Sequence, residues 1–157
     1  MSKAWPIEGF DPHDSLGSGL RKILLTRCEE MFSYAEKARI FGEAETIHDM
    51  RVAARRLQIV LKTFKKKFPK KEIKEYTRTL RLLIRSLGEV REKDVLIEKM
   101  EKCRATCLPG DVRALDVYLS KHVLDRELAR EKLLQLFLAI KQSKFKRCLG
   151  KFVKTSL

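Results

Sequence analysis

A chain of 157 residues can bury one core but is short for two, and with 44% apolar and 36% charged residues it has the make-up of a folded, soluble chain rather than a disordered one. Lys and Arg number 35 against 21 Asp and Glu, a formal charge of +14 that points to an anionic partner: nucleic acid, acidic lipid or polyphosphate. No run approaches the roughly 18 apolar residues of a membrane span, and Glu8, Asp11 and Asp14 stand where a secretory leader would be apolar, so a cytoplasmic location without membrane contact is expected.

Pro6, Gly9, Pro12, Gly17 and Gly19 break up the start, so residues 1–18 read as an irregular lead-in and residues 19–157 as one helical domain. Leu20, Ile23, Leu24, Cys28, Met31, Ala35 and Ala38 recur at intervals of three and four, which predicts a first helix from Gly19 to Phe41 with Gly42 as its stop. A second helix is expected from Thr46 to Phe68, ended by Pro69. Lys70 to Leu87 resumes the helical period until Gly88 breaks it, and a shorter helix follows from Glu92 to Cys103. Pro109 and Gly110 predict a turn, Asp111 a cap for a long helix reaching Ile140, and Ser143 a cap for a last helix to Val153. Nothing alternates with period two, so the expected fold is all-α, an antiparallel bundle of about four to six helices.

Charge is unevenly placed along these elements. Between His48 and Arg85 stand thirteen Lys or Arg and three acids, a net +10. On a helical projection of the second helix, His48, Arg51, Arg55, Lys62 and Lys66 gather on one side, opposite Met50, Ala53, Leu57, Leu61, Phe64 and Phe68. On the third, Lys71, Lys74, Arg78, Arg81 and Arg85 lie opposite Ile73, Tyr76, Leu80, Leu83, Ile84 and Leu87. Joined by a short turn at Pro69, the two helices should pack antiparallel, apolar faces inward, with paired basic faces outward; from His48 to Lys66 the stripe spans about 27 Å. A face built for solubility would intersperse acids, because like charges one turn apart cost roughly 0.2–0.5 kcal/mol per pair, whereas an anion bridging them reverses that cost. Arginine adds a planar fork that can hold two phosphate oxygens at once.

The stretch IHDMRVAARRLQIVLKTF, with LRLLIRSLGEVREKDVLIEKM after it, resembles the CHAD family, the conserved-histidine alpha-helical domain. His48, Arg51, Arg55 and Arg56 occupy its H-x-x-R-x-x-x-R-R signature. Leu87, Gly88, Val90, Arg91, Asp94 and Val95 match a second signature, with Glu92 in place of its usual aspartate, and SKFKRCLGKF looks like the element closing the family's first repeat. The resemblance implies a non-catalytic domain that binds inorganic polyphosphate on basic helices and is associated with polyphosphate granules. The signature and the two basic stripes together make His48, Arg51, Arg55, Arg56, Lys62, Lys66, Lys71, Lys74, Arg78, Arg81 and Arg85 the candidate contacts. The family usually carries two bundles in tandem, whereas this sequence spans one, so a homodimer is expected to supply the other half.

Other chemistries fit less well. His13, His48 and His122 sit in unrelated segments, and adjacent His48 and Asp49 point about 100° apart on a helix, so no catalytic constellation forms. The acidic Glu43 and Glu45 have no lysine partner after them, and Cys28, Cys103, Cys107 and Cys148 lack zinc spacing, so neither metal nor cofactor is expected. Nucleic acid is the alternative partner. Phe64, Phe68 and Tyr76 fall on the core side, which leaves no stacking platform for single strands, whereas a helix-turn-helix with Gly88 in its turn stays open as a reading. His48 is readable either as a ligand contact or as a structural hydrogen bonder, and Arg91 with Asp94 as a structural ion pair or a cap at the Gly88 turn.

Overall fold

The described residues form five α-helices: α1 (Leu16–Ile40), α2 (Ala44–Thr63), α3 (Lys70–Arg104), α4 (Val112–Gln142) and α5 (Phe145–Ser156), with a 3₁₀ turn at Lys65–Lys67 between α2 and α3. The computed structural model describes residues 3–40 and 42–156, so the expected end of the first helix at Phe41 lies outside the described residues. No strand occurs among them, in line with the all-α expectation.

Many of the apolar positions that set the helical period are buried, whereas Tyr118, Val123 and Leu128 of α4 are exposed. Leu24 and Met31 of α1, Met50, Leu57 and Leu61 of α2, Leu80, Leu83 and Leu87 of α3 and Leu133 of α4 meet in one core. Successive helices, joined by short turns, pack side by side: α1 on α2, α2 on α3, α3 on α4. The row does not close, because α1 and α4 touch only briefly. α5 turns back over that opening after Lys144, whose φ of 53° is the left-handed bend that breaks the helix. Phe145, Leu149, Phe152 and Val153 form the apolar stripe of α5, and Phe152 seals against Phe68 and Tyr76, with ring centroids 5.0 and 4.9 Å away.

Several boundaries differ from expectation: α1 already begins at Leu16, inside the expected lead-in, Asp111 precedes α4 without a side-chain capping bond, and three further differences have a local reason. The second helix stops at Thr63, not Phe68: the residue before a proline avoids the helical region, and Phe68 sits extended at φ −122°, ψ 154° ahead of Pro69. Ser143 does not cap the last helix; it ends α4, its hydroxyl donating to the Ile140 carbonyl at 2.8 Å. Gly88 does not break the third helix, which runs unbroken to Arg104 and absorbs the expected helix from Glu92 to Cys103. A glycine inside a helix costs about 1 kcal/mol relative to alanine, too little to outweigh flanking turns that bury Leu83, Leu87 and Val90. The last buried residue of α3 is Asp94 and the first of α4 is Leu133, so the end of α3 and the longer first part of α4 run past the core as a paired arm.

Candidate functional site

Because α2 and α3 bury one face each, their charged residues are forced outward. Arg55, Lys62, Lys66, Lys71, Lys74, Arg78, Arg81 and Arg85 are exposed, while His48, Arg51 and Arg56 are half-buried. Two junctions fix how the faces align. Near the start of α2, the Arg51 side chain lies over Gly88 of α3, with Nε 3.5 Å from where a Cβ on that glycine would stand. Further along, the Gln58 side-chain amide donates to the Thr77 carbonyl at 3.5 Å. This antiparallel register sets Arg55 level with the Arg81 to Arg85 turn, as two facing basic stripes require.

At the closed end of the hairpin the stripes meet in a groove of about 740 Å³. Lys62 and Lys66 enter it from the α2 side and Lys74 and Arg81 from α3, over Phe68, Ile73 and Thr77. Lys65 and Lys70 line it as well, and no acid does. Both were missed from sequence. Continued as an α-helix to Phe68, the chain would turn Lys65 about 100° from His48; the tighter 3₁₀ turn brings it round instead. The signal available was Pro69, which excludes helix at Phe68. Lys71, Arg78 and Arg85 are exposed outside the groove, and Arg85 pairs with Glu89 at 3.2 Å.

Arg51 carries an unmet demand. Its Nε is buried and has no hydrogen-bond partner among the described residues, although a buried guanidinium N–H costs on the order of 1–3 kcal/mol unless an acceptor reaches the group. Arg56 turns the other way. Its Nη1 donates to Glu30 Oε1 at 2.8 Å, and Arg27 holds the other carboxylate oxygen. The Glu30 side chain is 0% exposed and also accepts the Trp5 backbone N–H, so this half of the first signature ties α2 to α1 and to the N-terminal segment.

The second signature is also structural at its acid. Asp94 pairs not with Arg91 but with Arg126 of α4, whose Nε lies 2.6 Å from Oδ1 and whose Nη2 donates to the Gly42 carbonyl at 2.7 Å. Burial alone would lower the Arg126 pKa; the Asp94 hydrogen bond and charge outweigh it and hold the guanidinium above its ordinary value. Through this bridge α3 and α4 grip the α1–α2 loop just ahead of the turn that carries His48. With Gly88 inside α3 there is no turn there for a helix-turn-helix, which removes that form of the nucleic-acid alternative.

Glu43 and Glu45 are exposed, and no group of three or more metal-ligating side chains gathers among the described residues. Among the described residues no helix is long and apolar enough to cross a membrane. The described residues are all-helical, and exposed arginines and lysines stand along the outer sides of two antiparallel helices, with a half-buried histidine near the head of one. A family model for the CHAD domain matches residues 22–156, and the chain belongs to the CHAD family. No curated protein matches it. CHAD domains are in general non-catalytic binding domains, and the family is associated with polyphosphate and triphosphate.

Proposed function

We propose that this protein binds inorganic polyphosphate along the outer faces of α2 and α3, without catalysing its turnover. The observation that carries the reading is the groove at the end of those helices, where lysines and an arginine from both meet and no acid lines the wall. Confining like charges there is unfavourable in the free protein, and a chain of phosphates removes the repulsion while supplying an acceptor to each fork and ammonium. The contacts are His48, Arg51, Arg55, Lys62, Lys66, Lys71, Lys74, Arg78, Arg81 and Arg85, joined by the groove residues Lys65 and Lys70, with Arg56 contributing through its placement of α2. Cytoplasmic polyphosphate granules are the setting this reading implies, and a second copy doubles the basic surface in a homodimer.

The test is a titration with long-chain polyphosphate in competition with DNA at 0.15 M salt. Replacing Arg51, Arg55, Arg81 and Arg85 together by Gln is expected to weaken binding strongly while the helical circular dichroism signal stays. The logarithm of affinity should fall with the logarithm of salt at about −0.7 per neutralised phosphate, as for a flexible strand. Unchanged affinity in the folded variant, a flat salt response or preference for DNA overturns the reading. Light scattering that finds only monomer at tens of micromolar removes the dimer.

A further inference from the structure

The row of helices stays open between α1 and α4, and in that opening lies a groove of about 920 Å³. Met50 and Leu83, on the core sides of α2 and α3, reach its floor, so it opens away from the basic stripes. Its walls are apolar: Leu25, Phe32 and Ala35 of α1, Phe137 and Ile140 of α4, and Phe145 of α5. Its rim is cationic, carrying Lys141, Lys144, Arg147, Lys151 and Lys154. The two acids at the edge are Glu29 and Glu36, and Glu36 is already held by Arg39 at 2.5 Å. Lys146 lies over the Phe32 ring, 5.5 Å from its centre, which brings a further positive charge beside the apolar wall.

Gly150 adds an independent observation. It lies inside α5 and lines the groove, and a Cβ built on it meets nothing within 4 Å. A glycine in mid-helix is unfavourable relative to alanine, and here no neighbour demands the missing side chain. What its absence preserves is the opening itself.

We propose that this groove binds a single-chain anionic amphiphile of the long-chain fatty-acid class, its alkyl chain along the apolar walls and its head among the lysines where α4 meets α5. Each part of the ligand follows from a part of the site. A bare polyanion gains nothing from Phe32, Phe137 and Ile140, whereas an alkyl chain gains by leaving water there. A neutral chain leaves the rim lysines unanswered. A partner helix is about 10 Å across, so a groove of this volume admits only about two turns of one. The volume lies within the range of about 300–1,000 Å³ typical of small-molecule sites. The inference does not depend on the polyphosphate reading, because the two sites share no side chain.

The test titrates the full chain with dansylaminoundecanoate, whose fluorescence rises on entering an apolar site, below its micellar concentration. Saturable binding of one probe per chain is expected, displaced by palmitate and not by long-chain polyphosphate. Gly150→Leu fills the groove from α5 and Ala35→Leu from α1; each should weaken binding tenfold or more and leave polyphosphate affinity unchanged. Two blocking variants on separate helices keep the test decisive if one fails to fold. Lys144→Gln combined with Lys151→Gln should weaken dodecanoate several-fold and dodecanol hardly at all. Unaltered affinity in a folded blocking variant, displacement by polyphosphate, or equal affinity for dodecanoate and dodecanol overturns the proposal. Stronger displacement by an acidic amphipathic peptide assigns the groove to a protein partner instead and equally overturns it.

Discussion

Arg51 of α2 lies against Gly88 of α3, its Nε 3.5 Å from the place a Cβ would take. This one contact joins the arginine of the first family signature to the glycine of the second. The distance decides what a substitution does: 3.5 Å is ordinary van der Waals contact, so alanine fits, and removing a glycine from a helix interior gains about 0.5–1 kcal/mol. Gly88→Ala should therefore raise the denaturation midpoint at an unchanged denaturant slope. Gly88→Leu cannot fit without moving the guanidinium and should lower polyphosphate affinity as far as Arg51→Gln does. A destabilised alanine variant, or a leucine variant that binds normally, contradicts the role given to this contact.

Gly42 should respond with the opposite sign. Its φ of 59° is a conformation that side-chain-bearing residues adopt at a cost of about 1 kcal/mol, and a Cβ there runs into the Arg130 side chain. Gly42→Ala is expected to destabilise by about 1–2 kcal/mol. In an Arg130→Ala background the steric part disappears and about 1 kcal/mol of backbone strain remains. If the cost vanishes entirely in that background, the backbone is not what demands glycine.

The two glycines also mark how far the sequence could be read. Both looked like helix stops, and only Gly42 is one, because composition does not tell whether a glycine serves a turn or a close approach by another helix. The apolar periodicity was a sound guide to the core: Met50, Leu57, Leu61, Leu80 and Leu87, placed inward by spacing alone, are all buried. Long-range polar pairing was not legible. Glu30 lies 26 residues from Arg56, and Asp94 lies 32 from Arg126, and neither pair leaves a local pattern. Arg56 thus stood among the candidate contacts on the family signature alone, whereas its guanidinium reaches a buried carboxylate on α1. The basic stripes themselves were legible because burial of one helix face exposes the other.

Glu30 should dominate stability over any surface pair. Its carboxylate is 0% exposed between Arg27, itself 7% exposed, and Arg56. Removing one partner of a buried pair leaves an uncompensated charge and costs about 3–5 kcal/mol, so Glu30→Gln should lose that much in chemical denaturation. Glu36→Gln, which breaks the exposed pair with Arg39, should leave the denaturation midpoint close to that of the native chain. Equal losses in the two variants would show that the Glu30 cluster is not desolvated.

Cys28 gives the chain a titration at alkaline pH. Burial in the core pushes its thiol up from 9.0 to about 11, with the Lys146 charge opposing and Glu29 reinforcing the shift. A group with a raised folded pKa contributes stability that is complete below the unfolded value and is lost as pH rises through the folded one. Between about pH 9 and pH 11 the unfolded chain ionises this thiol while the folded chain keeps it neutral, so stability falls by on the order of 2 kcal/mol. Cys28→Ala costs packing at every pH but removes this slope, so the gap between native and variant stabilities should narrow as pH rises from 9 to 11. The same burial leaves about one thiolate in a thousand at pH 8, so iodoacetamide should modify the exposed Cys103 and Cys148 well before Cys28. A parallel pH dependence in the variant, or early labelling of Cys28 in the folded protein, would place this thiol in contact with solvent rather than in the core.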